Sequence, residues 1–143
     1  MELDPKIWGP HYWFVLQTIS LSYPLRPNNV TKKKYYDFIQ NFPLFIPIPE
    51  LGDKFSIILD KFPVTPYLDS RESFMKWVHF IHNQINKYFG KDEMLMGDAL
   101  NIYYKQYKPK QISKKEQNKI KEKYIYGGLL MLLLGGIIFL HQK

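Results

Sequence analysis

The sequence predicts an all-α protein with four helices and a shorter fifth, followed by a separate hydrophobic segment near its C-terminal end. In successive segments, apolar residues recur three and four positions apart, as on one face of a helix. Proline-rich stretches separate these segments. The 143 residues suffice for one compact domain and an appendage. Hydrophobic residues make up 45% of the chain and aromatic residues 17%, which is ample for a core.

The first helix is predicted from about Pro10 to about Tyr23. The stretch Trp8-Gly9-Pro10 favours a helix start. Proline has no backbone N–H, and in the first turn of a helix that group would have no hydrogen-bond partner within the helix. One apolar stripe follows at helical spacing: Trp13, Leu16, Ile19 or Ser20, and Tyr23. This stripe is expected to face the core.

The second helix is predicted from about Thr31 to Phe42, with Asn29 as a possible N-cap. Its apolar face comprises Tyr35, Phe38, Ile39 and Phe42. The stretch 45–52, FIPIPELG, then predicts a tight connection between two helices. The third helix is predicted from near Glu50 to about Phe62. Its inward residues are Phe55, Ile58 and Leu59.

The fourth helix, from about Ser70 to Phe89, has the strongest periodicity in the chain. Asp69 is expected to cap it, with Glu72 completing a capping-box pair. Gly90 is expected to end it. Its apolar stripe comprises Phe74, Trp77, Val78, Ile81, Ile85 and Tyr88. A shorter fifth helix is predicted from about Met94 to Tyr107.

After the helical domain, residues 1–107, the chain changes character. Lysines cluster in segment 108–123 and carry much of the net charge of +7, which predicts a basic linker or an exposed helix. An uncharged apolar run follows from Tyr124 to Leu140, and as a helix it would span about 25 Å. The run predicts a single-pass C-terminal membrane anchor, with the globular domain on the cytosolic side. A hydrophobic helix buried in the fold is the alternative.

The basic charge is also typical of proteins that bind nucleic acid. Because the lysines lie beside the apolar run, a membrane is the favoured partner and no nucleic acid is expected. The N-terminal residues lack the basic-then-apolar pattern of a secretory signal. The chain contains no cysteine, which excludes disulfides, thiolate metal sites and thiol nucleophiles within it.

A polar flank lies beside the apolar stripe of the fourth helix, next to Trp77. It comprises His79, His82, Asn83 and Asn86. One interpretation is a solvated helix face, and another is a metal site. No acidic partner lies at ligand spacing in the same helix, so no metal is expected. The third interpretation is a planar ligand that stacks on aromatic rings such as Trp13 and is bound by the amide and imidazole groups.

Two motifs of the chain resemble those of the Erv/ALR family of FAD-linked sulfhydryl oxidases. Trp8-Gly9-Pro10-x-x-Trp13-x-x-Leu16 is similar to the opening helix of that family. Trp77-x-x-x-x-His82-Asn83-x-x-Asn86-x-x-x-Gly90-Lys91 resembles its H-N-x-V-N helix and the Gly-Lys that follows. The resemblance extends from about Trp8 to Tyr107, and the lysine-rich bias looks most like members from large DNA viruses.

The resemblance implies a four-helix bundle with a short fifth helix and FAD in the mouth of the bundle. Residues at the positions where the family holds its cofactor would contact it or shape its pocket: Trp8, Gly9, Trp13, Gln17, His82, Asn83, Asn86 and Lys91. The family oxidises thiols to disulfides and passes the electrons through FAD to oxygen, giving hydrogen peroxide. A thiol protein substrate and a homodimer are implied, and a viral disulfide-forming relay is the expected setting.

The same resemblance exposes departures from the family pattern. Where the family has P-C-x-x-C, the two redox cysteines correspond to Ile48 and Leu51, which cannot perform thiol chemistry. Gln17 stands where a histidine is usual, His79 where a cysteine is frequent, and Pro10 where the family has an arginine. The chain is therefore expected to be inactive as a thiol oxidase. Either its cysteines were replaced, or it is a natural paralogue kept for flavin binding or dimerisation. The alternative function is a non-enzymatic, membrane-anchored scaffold.

Overall fold

The computed structural model describes residues 3–108 and 114–141, with side chains described for 3–108 and 116–137. The chain packs into two units, Met1–Tyr107 and Lys108–Lys143. Every regular element in the described ranges is a helix, which confirms the predicted all-α class.

The first helix, α1, runs from Pro5 to Leu21 and begins earlier than predicted. Asp4 caps it, since its carboxylate accepts a hydrogen bond from the Lys6 N–H at 2.8 Å. Pro5 therefore occupies the first helical position, and Pro10 lies inside the helix rather than at its start. Both Lys6 and Pro10 are exposed, so water can reach the Lys6 carbonyl that proline leaves without its helical partner.

The second helix, α2, runs from Asn29 to Asn41, and Asn28, not Asn29, caps it. The Asn28 Oδ1 accepts a hydrogen bond from the Thr31 N–H at 2.8 Å. A 3₁₀ turn, Phe42–Phe45, follows it. The predicted tight connection then leads into α3, which runs from Pro49 to Lys61 with proline at its first position.

The fourth helix, α4, runs from Arg71 to Tyr88 and is capped by Ser70 through the Ser73 N–H. The predicted capping box is therefore wrong. Asp69 instead forms an ion pair with Lys32 at 2.6 Å, and Glu72 pairs with Lys76 one turn along the helix at 2.6 Å. The fifth helix, α5, is shorter than predicted and runs from Met96 to Lys105.

The four long helices α1–α4 share one core, which contains most of the predicted apolar stripes. Its members include Leu16 of α1, Ile39 of α2, Phe55 and Leu59 of α3, and Phe74, Trp77, Val78 and Ile81 of α4. Tyr23 is fully buried, and its hydroxyl donates to the Leu68 carbonyl at 2.8 Å. The α4 stripe ends earlier than predicted, because Tyr88 is 53% exposed.

The last helix, α6, runs from Lys114 to His141 and begins within the segment predicted as a basic linker. Among the residues described, no helix is long and apolar enough to cross a membrane. Within the predicted anchor, the structure describes the side chains of residues 124–137, which are uncharged and cover roughly 21 Å of helix. The side chains of residues 138–140 lie outside the described part. The predicted transmembrane anchor is therefore not supported, and the cytosolic orientation inferred from it has no separate support.

The N-cap of α2 can be tested by mutation, because two adjacent asparagines precede or begin the helix and only Asn28 caps it. Asn28→Ala is expected to lower the free energy of unfolding by about 1 kcal/mol, since it removes the acceptor for the Thr31 N–H. Asn29→Ala, already inside the helix, is expected to change it by less than about 0.5 kcal/mol. Urea unfolding of both variants measures the difference. Equal effects, or a larger effect at Asn29, would contradict the assignment.

Candidate functional site

A pocket of about 690 Å³ opens among α1, α3, α4 and α5. This volume lies within the range of about 300–1,000 Å³ that is usual for small-molecule sites. Seven of the eight residues predicted from the resemblance to bind a cofactor line it: Trp8, Gly9, Trp13, Gln17, His82, Asn86 and Lys91. The fold thus brings two motifs, separated by some 60 residues in the sequence, to the walls of one pocket.

The two motifs meet through direct ring contact between α1 and α4. The Trp13 indole stacks on the His82 imidazole, with ring centroids 4.1 Å apart and an interplanar angle of 17°. Trp13 also lies 6.2 Å from the Phe55 ring of α3. Trp8, one and a half turns earlier on α1, packs edge-on against Tyr12 at 5.0 Å. Aromatic rings therefore contribute to the inner wall, which suits a planar ligand.

His82 is half-buried in this wall, and its imidazole is neutral at pH 7. Burial, together with the nearby charges of His79 and Lys91, lowers the pKa of His82 to about 4. Its Nδ1 is buried and has no hydrogen-bond partner among the described residues. Because His82 lines the pocket, a polar group of a ligand could supply that partner.

The lowered pKa predicts a pH dependence of stability for the ligand-free protein. Unfolded His82 takes up a proton near pH 6.5, whereas folded His82 does so near pH 4. The contribution of neutral His82 to the free energy of unfolding is therefore complete above pH 6.5 and is lost as the pH falls toward 4. Between pH 7 and pH 5, this loss is expected to be on the order of 2 kcal/mol. Urea unfolding at both pH values should show a smaller fall for His82→Gln. An unchanged fall would place the sensitivity elsewhere.

Asn83 is the exception among the predicted cofactor residues, because it does not line the pocket. Its side-chain amide instead pairs with the backbone of Met94, accepting from the N–H and donating to the carbonyl, each at 3.0 Å. The same Nδ2 lies 3.3 Å from His79 Nε2. This geometry does not support the predicted direct contact of Asn83 with a cofactor.

Ile48 and Leu51, the positions that the resemblance assigns to the family cysteines, lie at the start of α3. Ile48 is the N-cap residue, and the Leu51 N–H donates to the Ile48 carbonyl at 3.0 Å. Leu51 lines the pocket, whereas Ile48 does not. The two positions are therefore neighbours within one helical turn, and only the second of them faces the candidate site.

The rim of the pocket carries more positive than negative charge. Lys6, Lys54 and Lys91 line it together with one carboxylate, that of Asp4. All three lysines are exposed, and the Lys54 Nζ also lies 5.5 Å above the Tyr88 ring. A cationic rim around an aromatic interior suits a ligand with an anionic part and a planar part. In the described part of the chain, no three His, Cys, Asp or Glu side chains are grouped so that they could hold a metal ion.

Helix α5 forms a wall of the pocket that the sequence analysis did not anticipate. Tyr103 lines the pocket, and its hydroxyl lies 3.0 Å from Thr18 Oγ1 of α1 and 2.7 Å from the Tyr107 hydroxyl. Its ring stacks on Phe14 at 4.9 Å. The hydrogen bond to Tyr103 is the main cause that raises the pKa of Tyr107 above its ordinary value. These contacts fix α5 against α1.

Comparison with known proteins identifies relatives of the whole helical unit. A sequence profile of the Erv1/Alr family matches residues 10–108. A probable FAD-linked sulfhydryl oxidase of Acanthamoeba polyphaga mimivirus is 31% identical over 112 residues, 78% of each chain. The FAD-linked sulfhydryl oxidase of African swine fever virus is 29% identical over 96 residues, 67% of this chain and 79% of the relative.

Solved structures show the same fold. The core of yeast Erv1 superposes with a TM-score of 0.63 at 24% identity, covering 76% of this chain and 86% of that one. The FAD-binding domain of Erv1 from Saccharomyces cerevisiae gives the same score and covers 73% and 94%. The profile match spans more than half of the sequence, and the chain therefore belongs to the Erv1/Alr family.

Proposed function

We propose that this chain binds FAD in the pocket among α1, α3, α4 and α5, and that it does not itself carry out the thiol chemistry of its lineage. The observation that carries the proposal is the meeting of two motifs at one wall, where Trp13 stacks on His82 at 4.1 Å. Relatives described as FAD-linked sulfhydryl oxidases support the choice of cofactor.

The residues present fit such a group. The flat Trp13 and His82 rings offer a surface for the planar part of the cofactor, and the buried, unpartnered His82 Nδ1 offers a hydrogen-bonding group. Lys91, with Lys6 and Lys54, would neutralise its phosphates. Asn86 and Gln17 add amide groups to the lining, and Trp8 and Gly9 shape the wall at the start of α1.

When bound, FAD would supply an acceptor for two electrons from a dithiol and pass them to oxygen. The chain's own part in that reaction would require a thiolate at the pocket wall and a second sulfur to pair with it. Leu51 occupies the wall and Ile48 the neighbouring position, and neither can attack a disulfide or form one. With no cysteine elsewhere, the chain is proposed to leave dithiols unoxidised.

The wider setting belongs to the same proposal. Relatives in mimivirus and African swine fever virus support a viral lineage, whose ancestral role would be one step of a disulfide-forming relay acting on a thiol protein. A homodimer, as the resemblance implies, is proposed for the helical unit. A second candidate is a non-enzymatic scaffold that keeps the bundle for association alone, and the complete absence of cysteine favours it.

An absorbance spectrum separates the two candidates. The full chain, incubated with FAD and passed through a desalting column, is expected to retain a flavin band in the blue. Trp13→Ala is expected to weaken FAD binding by roughly five- to 150-fold, because base-like rings stacked on an aromatic side chain gain roughly 1–3 kcal/mol. Tyr36→Ala removes an aromatic ring of α2 that does not line the pocket and serves as the matched control. A folded, helical and colourless protein would support the scaffold.

A further inference from the structure

The segment between α4 and α5 brings two residues to the pocket without regular structure of its own. Gly90, with φ of +64°, ends the helical turn, and the Lys91 N–H returns to the Asn86 carbonyl at 2.9 Å. Residues 91–95 form no helix, and α5 begins at Met96. The N-cap residue of α5, Leu95, makes no side-chain capping bond. Lys91 and Met94 of this segment line the pocket.

Asn83, in the middle of α4, holds this segment through hydrogen bonds. Its amide makes the two reciprocal 3.0 Å hydrogen bonds to the N–H and carbonyl of Met94, eleven residues along the chain. Within residues 3–108, no other side-chain hydrogen bond reaches segment 91–95. The second Nδ2 hydrogen is directed to His79 Nε2 at 3.3 Å, so both donors of the amide are engaged.

We infer that Asn83 is a positioning residue for the proposed FAD site, acting through segment 91–95 and not through contact with the ligand. An amide that both accepts from and donates to one backbone unit fixes the location and the orientation of that unit. It thereby holds Met94 in the pocket wall and limits where Lys91 can place its ammonium group. Without Asn83, the ligand would have to order the segment on binding, and affinity would fall by that ordering cost. The inference rests on the proposed function.

A double-mutant cycle on the full chain tests this, with FAD as the probe. Asn83→Ala and Lys91→Ala are each expected to weaken FAD binding about tenfold. The double variant is expected to lose less than the product of the two, because without Asn83 only the bond from the Lys91 N–H to the Asn86 carbonyl still holds Lys91 in place, and its side chain contributes less. The matched cycle of Asn83→Ala with Trp8→Ala, on α1, is expected to be multiplicative. A multiplicative result for Asn83 and Lys91 would overturn the inference.

Amide hydrogen exchange in the absence of FAD gives a second, independent readout. Protection of the Met94 N–H is expected to be lost in Asn83→Ala and kept in Lys91→Ala and in Gln84→Ala, a control on the same helix. Protection that persists in Asn83→Ala would overturn the inference even if FAD binding were lost, because Asn83 would then act on the ligand directly. If Asn83→Ala does not fold, Asn83→Asp keeps the acceptor for Met94 N–H and should lose only the donated bonds.

These outcomes separate the inference from the proposed function. A wild-type chain that folds but binds no FAD would sink the proposed function, and with it the role of Asn83 in ligand affinity. If the chain binds FAD, but exchange of the Met94 N–H is unchanged in Asn83→Ala and the cycle of Asn83 with Lys91 is multiplicative, only the inference is contradicted.

Discussion

Replacing Ile48 and Leu51 together with cysteine is expected to give the chain a dithiol-dependent oxygen uptake that the unaltered chain lacks. The two positions are one turn apart at the start of α3, joined by the hydrogen bond from the Leu51 N–H to the Ile48 carbonyl. Residues at this spacing have Cβ atoms about 5–6 Å apart, close enough for a disulfide after a small adjustment. The first turn of a helix also lowers a cysteine's pKa and so favours the thiolate.

The position of the pair relative to the pocket gives the prediction its specificity. Leu51 lines the pocket, so a sulfur at position 51 would lie beside the proposed flavin, and a sulfur at 48 could exchange with an incoming dithiol. For each turnover, one dithiol would become a disulfide and one oxygen molecule would become hydrogen peroxide. Both changes shorten partly buried aliphatic side chains, a modest loss of packing that the fold should tolerate.

An oxygen electrode with dithiothreitol as the reductant measures the gain. The single variants Ile48→Cys and Leu51→Cys are expected to remain near background, because neither can form the internal disulfide. The matched control is Ile57→Cys with Asp60→Cys, a pair with the same spacing on the exposed part of α3 that does not line the pocket. If the 48/51 double variant binds FAD yet takes up no more oxygen than this control, the family roles do not transfer to these positions.

The helices and most of the core could be predicted from the sequence, whereas the helix ends could not. Apolar spacing identifies Phe74, Trp77 and Ile81 because burial of one helix face is a property of the pattern itself. A cap depends instead on which of two adjacent polar side chains reaches a free N–H. Asp69 has the residue type of a good cap, but Ser70 is in the extended conformation that a cap requires.

Some residues of the candidate site could likewise be predicted from the sequence, and others could not. Trp13 and His82 belong to motifs, and the packing of α1 on α4 brings their rings together. Asn83 and Asn86 are equally polar and three positions apart on α4, yet only Asn86 lines the pocket. What separates them is the course of the chain after Gly90, which returns Met94 to Asn83. The pocket residues Lys54 and Tyr103 lie outside both motifs and follow only from tertiary packing.

Gly52→Ala is expected to lower the free energy of unfolding by about 3 kcal/mol, although alanine is the better helix former. Gly52 is buried in the first turn of α3, where that helix crosses the 3₁₀ turn Phe42–Phe45. A Cβ at this position would lie 2.7 Å from the Pro43 carbonyl oxygen and 3.9 Å from the Ile46 Cβ. Since the first obstacle is backbone, no side-chain rotation can relieve the clash, and the helix or the turn must move.

The same displacement should reach the pocket, which gives the prediction a second readout. The segment that would be pushed carries Phe42 and Ile46, both of which line the pocket, and it is held by the Tyr12 hydroxyl bonded to the Phe45 carbonyl at 2.7 Å. Gly52→Ala should therefore weaken FAD binding as well as stability. Gly97→Ala is the matched control, because nothing lies within 4 Å of a Cβ there, and it should be neutral or raise stability by up to about 1 kcal/mol. If urea unfolding shows that Gly52→Ala loses no more stability than Gly97→Ala, α3 does not approach the turn this closely.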